Sequence, residues 1–397
     1  MGRRGPTVGR GGTMRQAEQD RLKAEIDHYL ETSTTTMAEE EYLNPVGVYG
    51  DPDFARRERE LFRAVPVVIA HESKIPNPGD FVTHDQSGVP VLVVRQEDGC
   101  VRAFFNLCRH RGAKLALEDE GCARRFTCIY HAWSFKPDGS LAGIPNDDGF
   151  RGVDRSAYGL TELPCEVRHG MVWVVLTPGA SIDVAAHLGA ELDDELTSFG
   201  LAGYQVERET EIAEQANWKL LVDGFLETYH LRFLHSDTVG PFIRSNCGPF
   251  KQFGLHGRMV IVRSRYDSEK SVGDRFLRDV GAVYQIFPNT VLVWQSTHFE
   301  RWAMFPDGDD PGRCKGYTSI LAPQGQESDT RLWDTNWKIL LDTVQQEDWP
   351  VARATQAGLF AGAQDTFVFG RNEPGLQHFH KTVQRLADET PVAISAR

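Results

Sequence analysis

The sequence predicts an α+β fold in which an all-β domain is followed by a domain that combines helices with strands. Short β-type runs separated by turn residues extend from Val65 to about Leu176, a pattern typical of a small all-β domain. Helical and strand-like segments are mixed in the second half of the chain. The chain has 397 residues, which is enough for two domains that each bury a core.

Three regions are predicted along the chain. Residues 1–44 are expected to form an N-terminal tail and helix, residues 45–180 the all-β domain, and residues 181–397 the mixed domain. Asp51 and Pro52 precede the run DFARRERELFRAV, which predicts a helix because Asp caps helices and Pro is favoured in their first turn. The β runs of the second region are VPVVIA at 65–70, VPVLVVR at 89–95, VRAFFN at 101–106 and MVWVVL at 171–176.

The mixed domain is predicted to hold three helices and several strands. An amphipathic helical run covers 216–234, a second covers 329–348, and a final helix is expected over 375–388. Pro350 should end or kink the second helix, because the residue before a proline avoids the α region. The strand candidates are the segments 258–265, 290–296, 298–305 and 316–321.

The composition excludes some classes of partner. The net charge of −13 argues against a nucleic-acid partner, because no basic surplus is present to neutralise phosphates. The sequence shows no apolar run of the roughly 18 residues that a membrane span requires. The opening segment MGRRGPTVGRGGT lacks the apolar core of a secretory signal. We therefore expect a cytoplasmic protein. Its opening segment is either a disordered tail or an upstream extension, and in the second case Met14 is the true start.

Two loops of the all-β region each combine a cysteine with a histidine, in C-R-H at 108–110 and C-I-Y-H at 128–131. Four-coordinate zinc accepts two Cys and two His, and a [2Fe–2S] cluster can take two Cys on one iron and two His on the other. Zinc fingers usually keep Cys with Cys and His with His, so the mixed loops favour the cluster. An ordinary set of core thiols and surface imidazoles stays open as an alternative.

The two loops resemble those of the Rieske domain in ring-hydroxylating oxygenases. CRHRGA at 108–113 matches the first loop, and CIYHAW at 128–133 is similar to the second, which is usually C-P-Y-H-G-W. Ile129 and Ala132 thus replace the usual Pro and Gly. The resemblance implies a Rieske [2Fe–2S] cluster bound by Cys108, His110, Cys128 and His131.

A second group of candidate ligands lies in the segment 217–235, where four residues separate His230 from His235. Two neutral imidazoles at this spacing can bind one metal ion. Iron(II) oxygenases commonly add one carboxylate on the same side and keep the opposite side of the ion open. A purely structural histidine pair would show the same spacing, so this motif alone does not decide.

The same segment resembles the iron motif of the oxygenase α subunits, because NWK at 217–219 is followed by E-T-Y-H at 227–230. Further along, Q-E-D-W-P at 346–350 resembles the family segment that carries the carboxylate ligand, with Asp348 at the ligand position and Glu347 as the second choice. The resemblance implies a mononuclear Fe(II) bound by His230, His235 and Asp348.

Glu227 has a separate role by resemblance. In the family, the acid at this position hydrogen-bonds a ligand of the mononuclear iron and, across a subunit boundary, a histidine of the neighbour's cluster. A carboxylate suits this role because it accepts N–H donors from both sides. Asp223 is the weaker candidate for the bridge, and Asp223-Gly224-Phe225 departs from the usual E-N-F of the family.

The resemblance also implies an architecture. Residues 45–180 would be the Rieske domain. Residues 181–397 would be a catalytic domain in which an antiparallel sheet wraps around a long helix, the helix-grip or START-like arrangement. The pocket should lie between the sheet and the iron ligands. Its aromatic candidates are Trp294, Phe299, Trp302 and Phe305, for each of which core packing is the simpler alternative.

The function implied is that of a terminal oxygenase component that inserts oxygen from O2 into a small organic substrate. An aromatic substrate is the first choice, and a quaternary ammonium or methylated substrate of a monooxygenase or demethylase is the alternative. Electrons would come from NAD(P)H through a reductase or ferredoxin, and the family predicts a homotrimer. A Rieske electron carrier or sensor with a ligand-binding domain is the non-enzyme alternative.

Overall fold

The structure is a computed structural model that describes residues 13–326, 329–359 and 361–390. The predicted tail residues 1–12 lie outside the described residues. In the described part, no helix combines the length and apolar character needed to cross a lipid bilayer.

The described residues form eleven α-helices and twenty β-strands. The helices are α1 (Gln16–Thr32), α2 (Gly47–Gly50), α3 (Pro52–Ala64), α4 (Val184–Leu188), α5 (Ala190–Phe199), α6 (Trp218–Asp223), α7 (Leu231–Leu234), α8 (Asp274–Asp279), α9 (Thr330–Thr343), α10 (Trp349–Leu359) and α11 (Pro374–Glu389). The strands are β1 (Tyr42–Pro45), β2 (Val67–His71), β3 (Asp80–His84), β4 (Val91–Arg95), β5 (Val101–Phe105), β6 (Glu120–Cys122), β7 (Phe126–Thr127), β8 (Ser134–Phe135), β9 (Leu141–Gly143), β10 (Glu162–Leu163), β11 (Cys165–Arg168), β12 (Met171–Val174), β13 (Tyr204–Glu214), β14 (Phe250–Phe253), β15 (His256–Val262), β16 (Val280–Ile286), β17 (Thr290–Trp294), β18 (Phe299–Pro306), β19 (Cys314–Pro323) and β20 (Thr366–Phe369).

The chain divides into two units. The smaller unit is Phe62–His187, and the larger unit joins the segment up to Leu61 to the segment from Leu188 onward. The functional boundaries at residues 44 and 180 stay a prediction, because a compact unit is not by itself a functional domain.

Antiparallel sheets build the smaller unit. One sheet has five strands in the order β10-β5-β4-β3-β6, and two others have three strands each, β11-β12-β2 and β7-β8-β9. The central strand β4 carries the apolar run Val91–Val94, which is fully buried. Regular structure from Val67 to Val174, a segment described throughout, consists of strands and short 3-10 helices. The predicted all-β domain is confirmed.

An antiparallel sheet of seven strands, in the order β13-β19-β18-β17-β16-β15-β14, forms the centre of the larger unit. Helix α11 packs against β14 and β15. Its buried side chains include Leu376, Phe379, Val383 and Ala387, whose spacing places them on one side of a helix. A sheet packed on a long helix is the arrangement that was predicted, and the α+β class is confirmed.

The helix predicted over 216–234 is interrupted, and that prediction is wrong. Helices α6 and α7 are both short, and residues 224–230 between them are not helical. One carboxylate oxygen of Glu227 accepts the backbone N–H groups of Tyr229 and His230. These are amides at the start of α7, which an uninterrupted helix would have bonded to its own carbonyls.

The helix predicted over 329–348 continues past Pro350 instead of ending before it. A π-helical turn, Val344–Asp348, joins α9 to α10. Proline has no N–H to bond the carbonyl four residues earlier. The wider turn lies directly before Pro350, so this missing hydrogen bond falls where the hydrogen-bonding pattern of the helix already changes. Such turns occur often at functional sites, and this one contains Glu347 and Asp348.

Candidate metal centres

The two Cys/His loops of the smaller unit share one backbone geometry. In each, the cysteine N–H donates to the carbonyl five residues later, and the N–H four residues later donates back to the cysteine carbonyl, at N···O distances of 2.8–2.9 Å. The fourth residue after the cysteine has a positive φ in both loops, 75° at Gly112 and 55° at Ala132. The same bend therefore occurs twice, and it favours glycine.

The side chains of these loops lie together. Cys108 and Cys128 are buried, and the rings of His110 and His131 are 4.6 Å apart between centroids. Burial raises the pKa of the Cys108 thiol, and the neighbouring Cys128 thiol adds to the shift. The Nδ1 atom of His110 is buried without a hydrogen-bond partner in the part of the chain that the structure describes.

This donor set fits a metal centre. An imidazole nitrogen that is buried and unpaired is costly unless a ligand uses it. Two adjacent buried thiols become favourable once they ionise as metal ligands. His110 also stacks on Trp133, with ring centroids 4.9 Å apart and an angle of 7° between the planes, which fixes the orientation of the imidazole.

In the larger unit, His230, His235 and Asp348 come together although Asp348 follows His235 by 113 positions in the sequence. One ligand atom from each of the three residues lies within 4.8 Å of the others. The distance from Asp348 Oδ1 is 3.1 Å to His235 Nε2 and 3.8 Å to His230 Nε2. Two His and one carboxylate on one side of a metal ion is the set typical of iron(II) oxygenases.

Each of the two histidines is held by a second carboxylate. Glu227 contacts His230 Nδ1, and Glu347 Oε2 lies 2.6 Å from His235 Nδ1. Thr238 Oγ1 donates to the same Glu347 oxygen at 2.8 Å. Because Nδ1 is occupied in both rings, Nε2 is the atom left for a metal. Glu347, the second choice for the carboxylate ligand, contacts Nδ1 of His235, whereas Asp348 lies on the Nε2 side and stays the predicted ligand.

The pKa of His235 reflects these neighbours. Burial lowers it, but the carboxylates of Asp348 and Glu347 outweigh burial, and the pKa lies above its ordinary value. A metal binds the neutral imidazole, so a proton competes with the metal at this ring. The affinity for a metal ion should therefore decrease as the pH falls.

A cavity of about 270 Å³ lies beside the His–His–Asp group. Its apolar wall includes Phe225, Leu234, Val344, Trp349, Phe367 and Leu376. Its polar groups are Asp223, Glu227, His230, Asp348 and Thr355. The wall thus comes mostly from helices and connecting segments, with Phe367 contributed by β20.

The four aromatic candidates on the sheet do not line this cavity. Trp294, Phe299, Trp302 and Phe305 are at most 1% exposed, so core packing, the simpler alternative, describes them. Trp302 packs against Phe225, which does line the cavity, with 5.1 Å between the ring centroids.

Two residues near the site were not found from the sequence. Tyr49 Oη donates to Asp223 Oδ2 at 2.8 Å, and His380 Nε2 lies 2.8 Å from Asp223 Oδ1. No spacing signal connects these residues, since Tyr49 and His380 are 331 positions apart. Asp223 contacts Tyr49 and His380, whereas Glu227 contacts His230, a candidate metal ligand, which makes Glu227 the better candidate for a bridge.

The two groups fit a protein with two metal centres, one of two Cys and two His and one of two His and a carboxylate. Residues 65–158 match the Rieske [2Fe-2S] domain, and residues 201–389 match the ring hydroxylating alpha subunit (catalytic domain). The chain belongs to the family of Rieske oxygenase α subunits, as its motifs indicated. This membership favours the iron–sulfur cluster over zinc in the smaller unit.

Curated relatives with monooxygenase names are similar to this chain. The glycine betaine monooxygenase oxygenase subunit of Chromohalobacter salexigens is 33% identical over 50% of this chain and 44% of that protein. The carnitine monooxygenase oxygenase subunit of Escherichia coli (strain K12) is 34% identical over 54% of this chain and 58% of that protein. The chain spans about half the length of the curated relatives it matches.

Solved structures share the fold at low identity. A quaternary ammonium Rieske monooxygenase in complex with an inhibitor has a TM-score of 0.76 at 21% identity, covering 96% of this chain and 100% of that one. A naphthalene 1,2-dioxygenase variant bound to phenanthrene has a TM-score of 0.72 at 20% identity, covering 89% of this chain and 93% of that one. These likenesses confirm the fold.

The substitution Ala132→Gly is expected to stabilise the smaller unit, because glycine adopts the positive φ of this position without strain. The gain in the free energy of unfolding should be about 0.5–1 kcal/mol, measured by chemical denaturation. Gly112→Ala is the reciprocal variant: an added Cβ there meets no atom within 4 Å, so only the backbone strain should act, and stability should decrease. Equal stability of both variants and the wild type would contradict the argument.

The substitution Glu347→Gln should weaken Fe(II) binding by about 10- to 100-fold, as is usual when a partner of a ligating histidine is lost. It should also lower the pKa of His235, because one neighbouring carboxylate is gone. Protons should therefore displace the iron at a lower pH than in the wild type. Iron content after dialysis over a pH series measures both effects. Asp342→Asn, an exposed carboxylate on α9 paired with Lys338, is the control and should bind iron normally.

Proposed function

We propose that this chain is the terminal oxygenase component of a Rieske oxygenase system and inserts oxygen from O2 into a small organic substrate, with an aromatic compound as the first choice. The observation that supports this best is the His–His–Asp group, whose two imidazoles are each oriented by a further carboxylate and which borders a mostly apolar cavity. An electron carrier would need neither this ligand set nor the cavity.

The proposed roles of the residues follow from the two sites. Cys108, His110, Cys128 and His131 would bind the [2Fe–2S] cluster. His230, His235 and Asp348 would bind a mononuclear Fe(II). When bound, the cluster supplies electron transfer and the iron supplies O2 activation. The chain itself orients the imidazoles, surrounds the substrate with apolar side chains and keeps one side of the His–His–Asp group open toward the cavity.

The proposal includes redox partners, a homotrimer and a cytoplasmic location. Electrons would come from NAD(P)H through a reductase or ferredoxin. Glu227 would connect the two kinds of site across a subunit boundary, and one solved relative, 22% identical, is described in terms of inter-subunit electron transfer. Within this chain, Glu227 already contacts His230, one half of such a connection. A ring of subunits would satisfy head-to-tail contacts of this kind.

A quaternary ammonium substrate is the second candidate. The cavity has aromatic side chains, Phe225, Trp349 and Phe367, together with the carboxylate of Asp223. Aromatic faces and a carboxylate attract a cation, while the same faces would pack against an aromatic ring. Relatives named for carnitine and glycine betaine are consistent with this second candidate.

The test is a substrate panel with the full chain, loaded anaerobically with iron and sulfide and supplied with a reductase and NADH. The panel contains naphthalene, indole, anthranilate, glycine betaine and L-carnitine. We expect O2 uptake coupled to an oxygenated product for one class of these compounds. The loaded protein should hold about three irons per chain, two in the cluster and one mononuclear.

The variant His235→Ala should keep the cluster irons, lose the mononuclear iron and form no product. Binding of panel compounds without O2 consumption in the fully loaded wild type would support the non-enzyme alternative. A colourless protein that retains zinc after iron loading would contradict both.

The role of Glu227 can be separated from ligand orientation by a matched pair. Glu227→Gln and Glu347→Gln each remove a carboxylate from the Nδ1 side of a ligand histidine. Both variants are saturated with Fe(II). Oxidation of the reduced cluster by O2 and substrate should then be slower in Glu227→Gln than in Glu347→Gln by about tenfold or more. Rapid-mixing absorbance of the cluster measures this rate, and equal rates would show that Glu227 only orients His230.

A further inference from the structure

We propose that Asp223 and His380 hold a proton in common and that Asp223 releases it into the cavity beside the metal ligands, while Tyr49 positions the Asp223 carboxylate. This inference rests on the proposed function. Hydroxylation of a substrate RH, written RH + O2 + 2e⁻ + 2H⁺ → ROH + H2O, consumes protons as well as electrons. The redox partner supplies the electrons, and the protons have to reach the cavity.

Asp223 is the cavity group that is free for this task. Among the described residues that line the cavity, the ionisable ones are Asp223, Glu227, His230 and Asp348. His230 and Asp348 belong to the candidate metal site, and Glu227 holds His230 Nδ1 and the amides that begin α7. The contacts of Asp223 lead away from the metal ligands, to Tyr49 and His380.

The hydrogen bonds of Asp223 determine which nitrogen of His380 carries a proton. An ionised carboxylate only accepts hydrogen bonds, so His380 Nε2, 2.8 Å from Asp223 Oδ1, must be protonated. Tyr49 Oη donates to the other oxygen, Oδ2, at 2.8 Å. The carboxylate is thereby held from two sides, and its orientation at the cavity wall is fixed.

The second nitrogen of His380 provides the place for the additional proton. Nδ1 is buried and has no hydrogen-bond partner among the described residues. The His380 side chain is 0% exposed, and its ring packs on Tyr49, Phe369 and Phe379 with centroid distances of 5.1–5.3 Å. When Nδ1 takes up a proton, the imidazolium can pass its Nε2 proton to Asp223. The carboxylic acid so formed then donates to the cavity.

The charged groups around Asp223 and His380 are paired or neutral. Lys219 Nζ lies 2.5 Å from Glu58 Oε1, and both side chains are buried. Lys219 is thus paired with Glu58, and the partner of Asp223 Oδ1 is His380 Nε2. Tyr49 stays neutral, because burial and the Asp223 carboxylate raise its pKa well above the usual value.

One further acid faces Asp223. Burial raises the pKa of Glu373, and the carboxylates of Glu227 and Asp223 add to the shift. Glu373 accepts the backbone N–H of Gly370 at 2.5 Å and is not among the residues that line the cavity. It therefore contributes negative charge near the pair without being the group that meets a substrate.

The first experiment uses the metal-free full chain with ¹⁵N-labelled histidine. NMR should show the neutral His380 ring with its proton on Nε2 and with Nδ1 unprotonated. The His380→Gln variant identifies the signal by its absence. In Asp223→Asn the preference of the neutral ring for a proton on Nε2 should be lost, because the carboxylate that accepts this N–H is gone. A His380 that carries its proton on Nδ1, or a tautomer preference that Asp223→Asn leaves unchanged, would overturn the proposal.

The second experiment uses the loaded enzyme and the panel compound that the wild type oxidises fastest. Asp223→Asn and His380→Gln should lower the rate of product formation by about tenfold or more and increase the solvent isotope effect in D2O, with unchanged iron content. Asp223→Glu keeps an acid and should retain more activity than Asp223→Asn. Wild-type rates and isotope effects in both Asp223→Asn and His380→Gln would overturn the proposal.

A matched control separates the effect of disturbing Asp223 and His380 from the effect of losing any buried hydrogen bond. Tyr49→Phe removes a buried hydroxyl bonded to Asp223, and Tyr284→Phe removes a buried hydroxyl of β16 bonded to Glu195 at 2.6 Å. Only Tyr49→Phe should lower the rate of product formation. If the wild type oxidises no panel compound, the proposed function fails, whereas the NMR result still decides where the proton resides.

Discussion

The site in the larger unit depends on one constraint, that two imidazoles must present the same nitrogen to one carboxylate. An imidazole has two nitrogens, and a free ring can offer either. Here Glu227 and Glu347 occupy Nδ1 of the two rings, so Nε2 of each points to Asp348. The break between α6 and α7 places Glu227 beside His230. The π turn places Glu347 beside His235, where Thr238 donates to the same carboxylate.

The sequence predicted the elements that carry strong local patterns. Alternating β runs and turn residues were sufficient for the all-β part, and the order of the metal motifs was sufficient for the family. The ligands named in advance, His230, His235 and Asp348, are brought together by the fold. The three side chains could hold one metal ion, and their role as ligands stays a prediction.

What the sequence did not reveal has physical reasons. The continuous helix expected over 216–234 fails because a carboxylate three residues before His230 can bond amides as well as a preceding turn can. Pro350 was expected to end a helix, yet a wider turn placed before it removes the conflict. The contacts of Asp223 with Tyr49 and His380 join distant parts of the chain, and a single sequence contains no spacing that reports such contacts.

The smaller unit shows how the same bend can be made by different residues. Gly112 and Ala132 occupy equivalent places and have similar backbone angles, although only one of them is glycine. The hydrogen bonds that close each loop are equally short in both. The surrounding loop therefore holds Ala132 in a conformation that alanine disfavours.

The π turn between α9 and α10 has a consequence for how this family member can change. A turn with an extra residue offsets the faces of the helices on its two sides, so α10 can present Val351, Ala352 and Thr355 to the cavity while Asp348 stays with the histidines. Replacing those three side chains would reshape the cavity without altering the sheet or the ligand geometry. New substrate preferences can thus arise on one helical surface, while the chemistry of the centre is inherited intact.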